Sequence, residues 1–253
     1  MRRRWLERVH PWIRVFDTGR NDRWATSTLV ATTRAGDHQS RLVAADPARH
    51  WPLLHPLVQG DLTVRVCVVG AESTGKSTLV RALAKAHNTH EVGEFGREYT
   101  VAKKSAGTND RWTTDDFVQI ALEQQRLEDV AAVGAGPLFF CDTDAMTTAL
   151  WHERYQGHAS SAVDALGRSR RYDLFVLCNI DIPWEQDEIR LGADSRSAMH
   201  ARFLEVLDHD RDEPWILVSG TVEQRMAMVA GAIADQHLLR ADGIFATHRQ
   251  HLR

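Results

Sequence analysis

From residue 64 onward the chain alternates short, continuously apolar runs with longer stretches whose apolar residues fall three and four apart. The runs Val64–Val69, 138–141, Leu174–Cys178 and Trp215–Val218 are rich in β-formers and bounded by turn residues, with a weaker candidate at 89–92. Between them, residues 78–87, 115–133, 145–155, 198–208 and 222–234 carry helical spacing. Runs that are apolar on both faces belong in a sheet covered on both sides, and strands alternating with helices make such a sheet parallel. The pattern predicts an α/β fold of three layers around a five-stranded parallel sheet.

Residues 1–63 lack that order. The segment 26–33 reads as one strand, 35–37 as a turn, and 46–52 as a short capped helix running into a proline-punctuated linker. This stretch holds Trp5, Trp12, Trp24 and Trp51, half of the eight tryptophans, and ten arginines against six acids. We read 1–63 as an irregular N-terminal arm and linker that packs its tryptophans on the main domain, 64–240 as that domain, and 241–253 as a tail.

Charge narrows the classes. With 31 basic and 34 acidic residues the formal charge is -3, which gives no global attraction to nucleic acid or an anionic membrane. No apolar run approaches the ~20 residues that span a bilayer, and no apolar leader follows the basic start. Cys67, Cys141 and Cys178 each sit inside an apolar run without a Cys or His at metal-ligand spacing. Reduced, buried thiols in a cytoplasmic protein are the expectation. Only Lys76, Lys85, Lys103 and Lys104 are lysines among the 31 basic residues, so each asks why arginine would not serve.

Lys76 answers first. The strand Val64–Val69 runs into Gly70-Ala71-Glu72-Ser73-Thr74-Gly75-Lys76-Ser77-Thr78, a G-x-x-x-x-G-K-S sequence between a strand and a helix. Gly70 and Gly75 allow backbone angles and close approaches that a Cβ would block. Successive amides and the helix N-terminus then face a β-phosphate. Lys76 supplies a compact charge for the β- and γ-phosphates of ATP, and Ser77 a hydroxyl for Mg²⁺. A Mg²⁺ site also calls for an acid closing a neighbouring buried strand, and Asp142 closes 138–141. Asp144 follows two residues later, one acid serving the metal and the other the acceptor; a helix N-cap is the alternative for either, and more so for Asp144.

A phosphate loop alone does not separate kinase, GTPase or motor. The fourth strand ends in Asn179-Ile180-Asp181-Ile182 without the lysine of a guanine clamp, and Asp142-Thr143-Asp144 does not fit a ring-forming ATPase. A small-molecule kinase needs a carboxylate and an arginine after the second strand, and an arginine-bearing lid after the fourth. Glu94 and Arg97, in Gly93-Glu94-Phe95-Gly96-Arg97-Glu98-Tyr99, meet the first need. Arg190 and Arg196 stand where a lid belongs. Surface ion pairs on helix starts are the alternative account of each set.

In this order, the phosphate loop, Glu94-Phe95-Gly96-Arg97-Glu98-Tyr99, Asp142-Thr143-Asp144 and Trp184-x-x-Asp187-x-x-Arg190 resemble the ribosylnicotinamide kinase domain of NadR-type proteins, over roughly residues 64–235. The resemblance implies a nucleoside/nucleotide kinase-like P-loop fold and transfer of the ATP γ-phosphate to the 5′-hydroxyl of nicotinamide riboside. It casts Glu94 or Asp144 as the base, Arg97 as a substrate or phosphate clamp, Tyr99 beside the acceptor, and Asp187/Arg190 as the lid. Such proteins usually carry an adenylyltransferase domain with an H-x-G-H site upstream. Residues 1–63 are too short for one and the sequence contains no H-x-G-H, so adenylyl transfer is not expected of this chain.

Weaker signals remain. Thr221, in Ser219-Gly220-Thr221-Val222, follows the last strand where such kinases hold adenine, or is an ordinary helix cap. Trp112 and Trp151 suit a cationic pyridine ring, although core packing explains them too. The rival readings are a kinase of another nucleoside or metabolite and, from another class, an ATP-binding regulatory module that transfers no phosphate to a small molecule. No nucleic-acid partner is expected, and the sequence leaves room for a homo-oligomer.

Overall fold

The computed structural model describes residues 14–16, 30–32, 51–53, 56–107, 112–184 and 193–235. The expected turn at 35–37, most of the helix at 46–52, the tail at 241–253, and Asp187 and Arg190 lie outside them. The chain divides into two compact units, one of residues 1–64, 132–138 and 233–253, the other of residues 65–131 and 139–232.

In the first unit, β1 (Arg14–Phe16) pairs antiparallel with β2 (Val30–Thr32), Arg14 opposite Thr32. The strand expected over 26–33 is thus described as three residues, with a partner that no apolar alternation had signalled. The proline-punctuated linker is helical instead: a 3-10 turn, Trp51–Leu53, precedes α1 (Pro56–Leu62). Proline suits the first helical position because the N–H it lacks has no partner there. Gln59 Nε2 donates to the Trp51 carbonyl at 2.9 Å, and the Val64 N–H to the Pro137 carbonyl at 3.0 Å.

The sheet is parallel and has the order β4-β5-β3-β6-β7, from β3 (Val64–Val69), β4 (Glu91–Val92), β5 (Leu138–Asp142), β6 (Leu174–Cys178) and β7 (Trp215–Val218). All residues of β5 and β6 are buried, which is why they read as unbroken apolar runs. The first strand of this sheet, β3, lies in the middle. The chain then visits the edge at β4, returns to β5 beside β3, and crosses to β6 on the other side. The connection from β3 runs to one side of it and the later one from β5 crosses to the other, and that reversal of order beside β3 opens a crevice at the carboxyl ends, where ligands of such sheets bind.

The helices are α2 (Lys76–His87), α3 (Phe95–Ser105), α4 (Thr114–Gly134), α5 (Ala145–Gln156), α6 (Ser161–Ser169), α7 (Ala193–His209) and α8 (Val222–Asp235). Five extend the expected segments by one to five residues at an end. Two, α3 and α6, had no counterpart in the pattern. No residue of α3 is fully buried, so its inward side is only partly apolar; Glu98 in its first turn and Lys103 and Lys104 in its last complement its dipole.

Glu128, on α4, lies fully buried in the second unit, and its carboxylate accepts from the Tyr172 hydroxyl at 2.9 Å, with Arg170 Nε 3.4 Å away. Burial pushes its carboxyl up to about 7, against the pull of Arg170. The three cysteines are free and buried. No described helix is long and apolar enough to cross a membrane.

Candidate active site

The loop after β3 folds as its glycines require. Gly70 has φ 144°, and a Cβ there would stand 3.0 Å from the Cys178 carbonyl oxygen; Gly75 has φ 81°. Ser73 (φ 55°) and Thr143 (φ 66°) take left-handed conformations without being glycines, and both face the same cleft. Strain of that kind gathers at functional sites. Thr74 Oγ1 and Lys76 Nζ both donate to the Ala71 carbonyl at 2.8 Å, which curls the lysine back across the loop. Ser77 follows in the first turn of α2.

Over this loop opens a cleft of about 700 Å³, lined at one end by residues 72–78 and, beyond them, by Ile182, Pro183, Gly220, Thr221 and Val222. Thr221 and Gln224 cap α8 reciprocally: the Thr221 N–H donates to Gln224 Oε1 at 2.8 Å, and the Gln224 N–H to Thr221 Oγ1 at 3.3 Å. The threonine is both a helix cap and part of the cleft wall. The other end is lined by Glu94, Arg97, Trp112, Phe117, Trp151 and Tyr155. Trp112 is 5.5 Å from Tyr155 and 5.3 Å from Phe117 between ring centroids, and Trp151 is 6.3 Å from Tyr155.

Among the expected site residues, the structure brings Glu72, Ser73, Thr74, Gly75, Lys76, Ser77, Thr78, Glu94, Arg97 and Thr221 into one cleft. Glu94 is half-buried at the start of α3; burial raises its carboxyl above the ordinary glutamate value, while Lys76 and Arg97 pull it back. Tyr99 instead hydrogen bonds to Asp116 Oδ1 at 2.7 Å, and burial with that carboxylate pushes its hydroxyl up to about 12. Despite the cost of burial, bonds from Tyr99, Lys103 and Thr113 hold Asp116 down at about 2. Lys103 also lies 5.3 Å from the Trp112 ring centroid. This network joins α3 to the start of α4 and sets the tryptophan in the wall.

Asp142 closes β5, 4% exposed, and its Oδ1 has no hydrogen-bond partner among the described residues. A buried, unsatisfied carboxylate oxygen beside the strand that leads to Ser77 is the donor set a hard divalent cation takes, with phosphate oxygens and water completing the shell. Asp144 is the N-cap of α5: its Oδ1 accepts from both the backbone N–H and the hydroxyl of Thr147, each at 2.8 Å. Burial raises its carboxyl, and those bonds oppose the rise. Its neighbours Thr143, Thr147 and Thr148 reach the cleft.

Two arginines were given no such place by the sequence. Arg225, 2% exposed on α8, donates to the Thr74 carbonyl at 2.6 Å and to Asp181 Oδ1 at 2.5 Å. Arg196, expected over the phosphates, donates to the carbonyls of Ser73 at 3.0 Å and Ile182 at 2.9 Å. The available signal was a charge on an inward stripe: Arg225 stands four residues before the buried Val229, and Arg196 precedes buried Met199, His200 and Phe203.

A family model for an AAA domain matches residues 65–225. The chain belongs to that family. The trifunctional NAD biosynthesis/regulator protein NadR of Salmonella typhimurium is 33% identical over 173 residues, which are 68% of this chain and 42% of that protein. The chain therefore spans less than half the length of this curated relative. A crystal structure of NadR in complex with NR superposes with a TM-score of 0.63 at 20% identity, covering 78% of this chain and 57% of that one. A second, of NadR with NAD and AMP-PNP, gives 0.61 at 21%, covering 78% and 56%. The NadR-type resemblance carried by the motifs is borne out over the kinase-like part, and the three-layer α/β fold around a five-stranded parallel sheet is shared with these NadR structures.

Proposed function

We propose that residues 64–240 form an ATP-dependent kinase domain that transfers the γ-phosphate to the 5′-hydroxyl of nicotinamide riboside or a close relative. The observation that carries this reading is the single cleft with a phosphate loop at one end and a carboxylate, an arginine and an aromatic wall at the other. The NadR structures bound to NR and to AMP-PNP lend it support, as properties of those proteins.

The residues divide the work. Amides of residues 72–78 and the Lys76 ammonium hold the β- and γ-phosphates, and Ile182, Pro183, Thr221 and Val222 enclose the base. Glu94 takes the proton as the acceptor oxygen bonds to the γ-phosphorus and the bond to the ADP oxygen breaks. Its raised carboxyl brings it nearer neutrality, where a general base works best. Of the two candidate carboxylates we assign the base to Glu94, which faces the cleft, and leave Asp144 to hold Thr147 in place. Arg97 neutralises charge on the transferring group. Ser77 and Asp142 would hold Mg²⁺, which would supply charge neutralisation to the phosphates. Lys103 already sits against Trp112, so Trp151 and Tyr155 are the better seats for a cationic ring.

The test is phosphate transfer from ATP across a nucleoside panel, with Lys76→Ala as control. Turnover on nicotinamide riboside that the control lacks supports the reading. Turnover only on another nucleoside reassigns the acceptor, and ATP binding without any transfer favours the regulatory module.

A further inference from the structure

Arg225 makes contacts that its position on the first turn of α8 does not require. Its guanidinium reaches three loops at once. Nη1 donates to the Thr74 carbonyl after β3 at 2.6 Å, Nη2 to Asp181 Oδ1 after β6 at 2.5 Å, and Nε to the Gly220 carbonyl after β7 at 3.0 Å. Asp181 uses its other oxygen to accept the Gly220 N–H, at 2.5 Å. One ion pair thereby ties both polar groups of Gly220 to the phosphate loop.

The consequence follows from peptide geometry. No described peptide bond is cis, so each N–H points opposite to the preceding C=O across a rigid plane. Holding the Thr74 carbonyl from behind fixes the direction of the Gly75 N–H. Arg196, on the Ser73 carbonyl at 3.0 Å, does the same for the Thr74 N–H, and the two bonds to the Ala71 carbonyl do so for Glu72. Gly75 is the link that needs such help, because a glycine at φ 81° has other conformations open to it that no side chain forbids. A Cβ on Gly75 would stand 3.7 Å from Arg225 Nη1, which places the guanidinium directly behind that turn.

We infer that Arg225, anchored by Asp181, is a positioning residue that fixes the phosphate-facing amide of Gly75 and couples the phosphate loop to the Gly220–Val222 loop that encloses the base. The inference rests on the proposed ATP site. It goes beyond that site by making the orientation of the phosphate cradle depend on an arginine behind it. A lysine keeps the charge but offers no planar fork with donors aimed in three directions.

The test uses the full chain carrying Arg225→Lys, with Asp181→Asn as the milder variant that retains the arginine. Hydrogen exchange at the amides of 71–78 and 219–222 is measured without nucleotide, and kinetics are measured with ATP and nucleoside varied separately. In Arg225→Lys the exchange of both loops should rise about tenfold or more, while strand amides keep their protection. The kcat/KM for ATP should fall by about 10²-fold, as for a misplaced catalytic geometry. The KM for the nucleoside should change less than about twofold, since its pocket is built from other residues. Asp181→Asn should move each quantity the same way by less, and the double variant should be no worse than Arg225→Lys, as expected when two residues act as one unit. Unchanged loop exchange in Arg225→Lys overturns the inference, as does a nucleoside KM that worsens as much as that for ATP. If the wild-type chain turns over no nucleoside, the functional reading fails, and loop exchange still decides the clamp.

Discussion

At the phosphate-loop end of the cleft the wall is main chain, its Ser73 and Thr74 carbonyls held by two buried arginines and its Ala71 carbonyl by the Thr74 hydroxyl. At the acceptor end the wall is made of side chains from α3, α4 and α5, set by a relay of Asp116, Tyr99 and Lys103. The first arrangement fixes a shape that any nucleoside triphosphate shares. The second can be changed one side chain at a time without disturbing the backbone. Demands common to all substrates are met by the main chain, and those particular to one substrate by rings that can be exchanged.

The sharpest break between the ends should come at Glu94, where they meet. Glu94→Gln should lower kcat by about 10³-fold, within the range for loss of a general base, with ATP affinity little altered. The wild-type rate should fall on acidification with a midpoint above that of an ordinary glutamate, because burial raises this carboxyl and the base must be ionised. An unchanged acid limb in Glu94→Gln would move the base elsewhere. Next, Asp142→Asn should cost about 10²-fold in Mg²⁺-dependent turnover and leave metal-free nucleotide binding near wild type; equal losses by titration would make Asp142 a folding residue. At the acceptor end, Trp151→Ala should raise the nucleoside KM by about tenfold, with the larger loss for a cationic base than for a neutral one. Equal losses for both would reduce the tryptophan to packing.

The smallest effect concerns stability. Between the unfolded value near 4.5 and about 7 the folded chain keeps on Glu128 a proton that the unfolded chain has lost. Stability should therefore fall as pH rises through that window, by up to roughly 3 kcal/mol. Denaturant midpoints for Glu128→Gln across the same window should be flatter than wild type.

Much of this was legible in the sequence. Strands β3, β5, β6 and β7 are unbroken apolar runs because they are buried on both faces, and the phosphate loop is read from spacing because its task is done by the backbone next in sequence. The acceptor wall was only partly legible: Trp112 and Trp151 stood out as tryptophans, but Phe117 and Tyr155 join them through packing between helices. Helix α3 has no fully buried residue, only partly covered ones such as Phe95, Tyr99 and Lys103, so Glu94 and Arg97 were found through the motif while the helix that presents them was not. Asp144 shows the remaining difficulty, since its Oδ1 caps a helix through the Thr147 amide while its buried Oδ2 has no hydrogen-bond partner among the described residues, and no spacing in the sequence separates the two uses. Arg225 needed three loops to be folded before its partners existed.

The cysteines offer a use unconnected with phosphate. Cys67, Cys141 and Cys178 lie fully enclosed on three adjacent strands of the sheet, and burial lifts their thiols well out of the reactive range, that of Cys178 to about 11. A thiol-directed reagent added to the native chain can meet them only after the strands part. Its rate of incorporation, compared with that on unfolded chain, is a clock for the opening of the sheet, already installed in β3, β5 and β6 and requiring no engineered label.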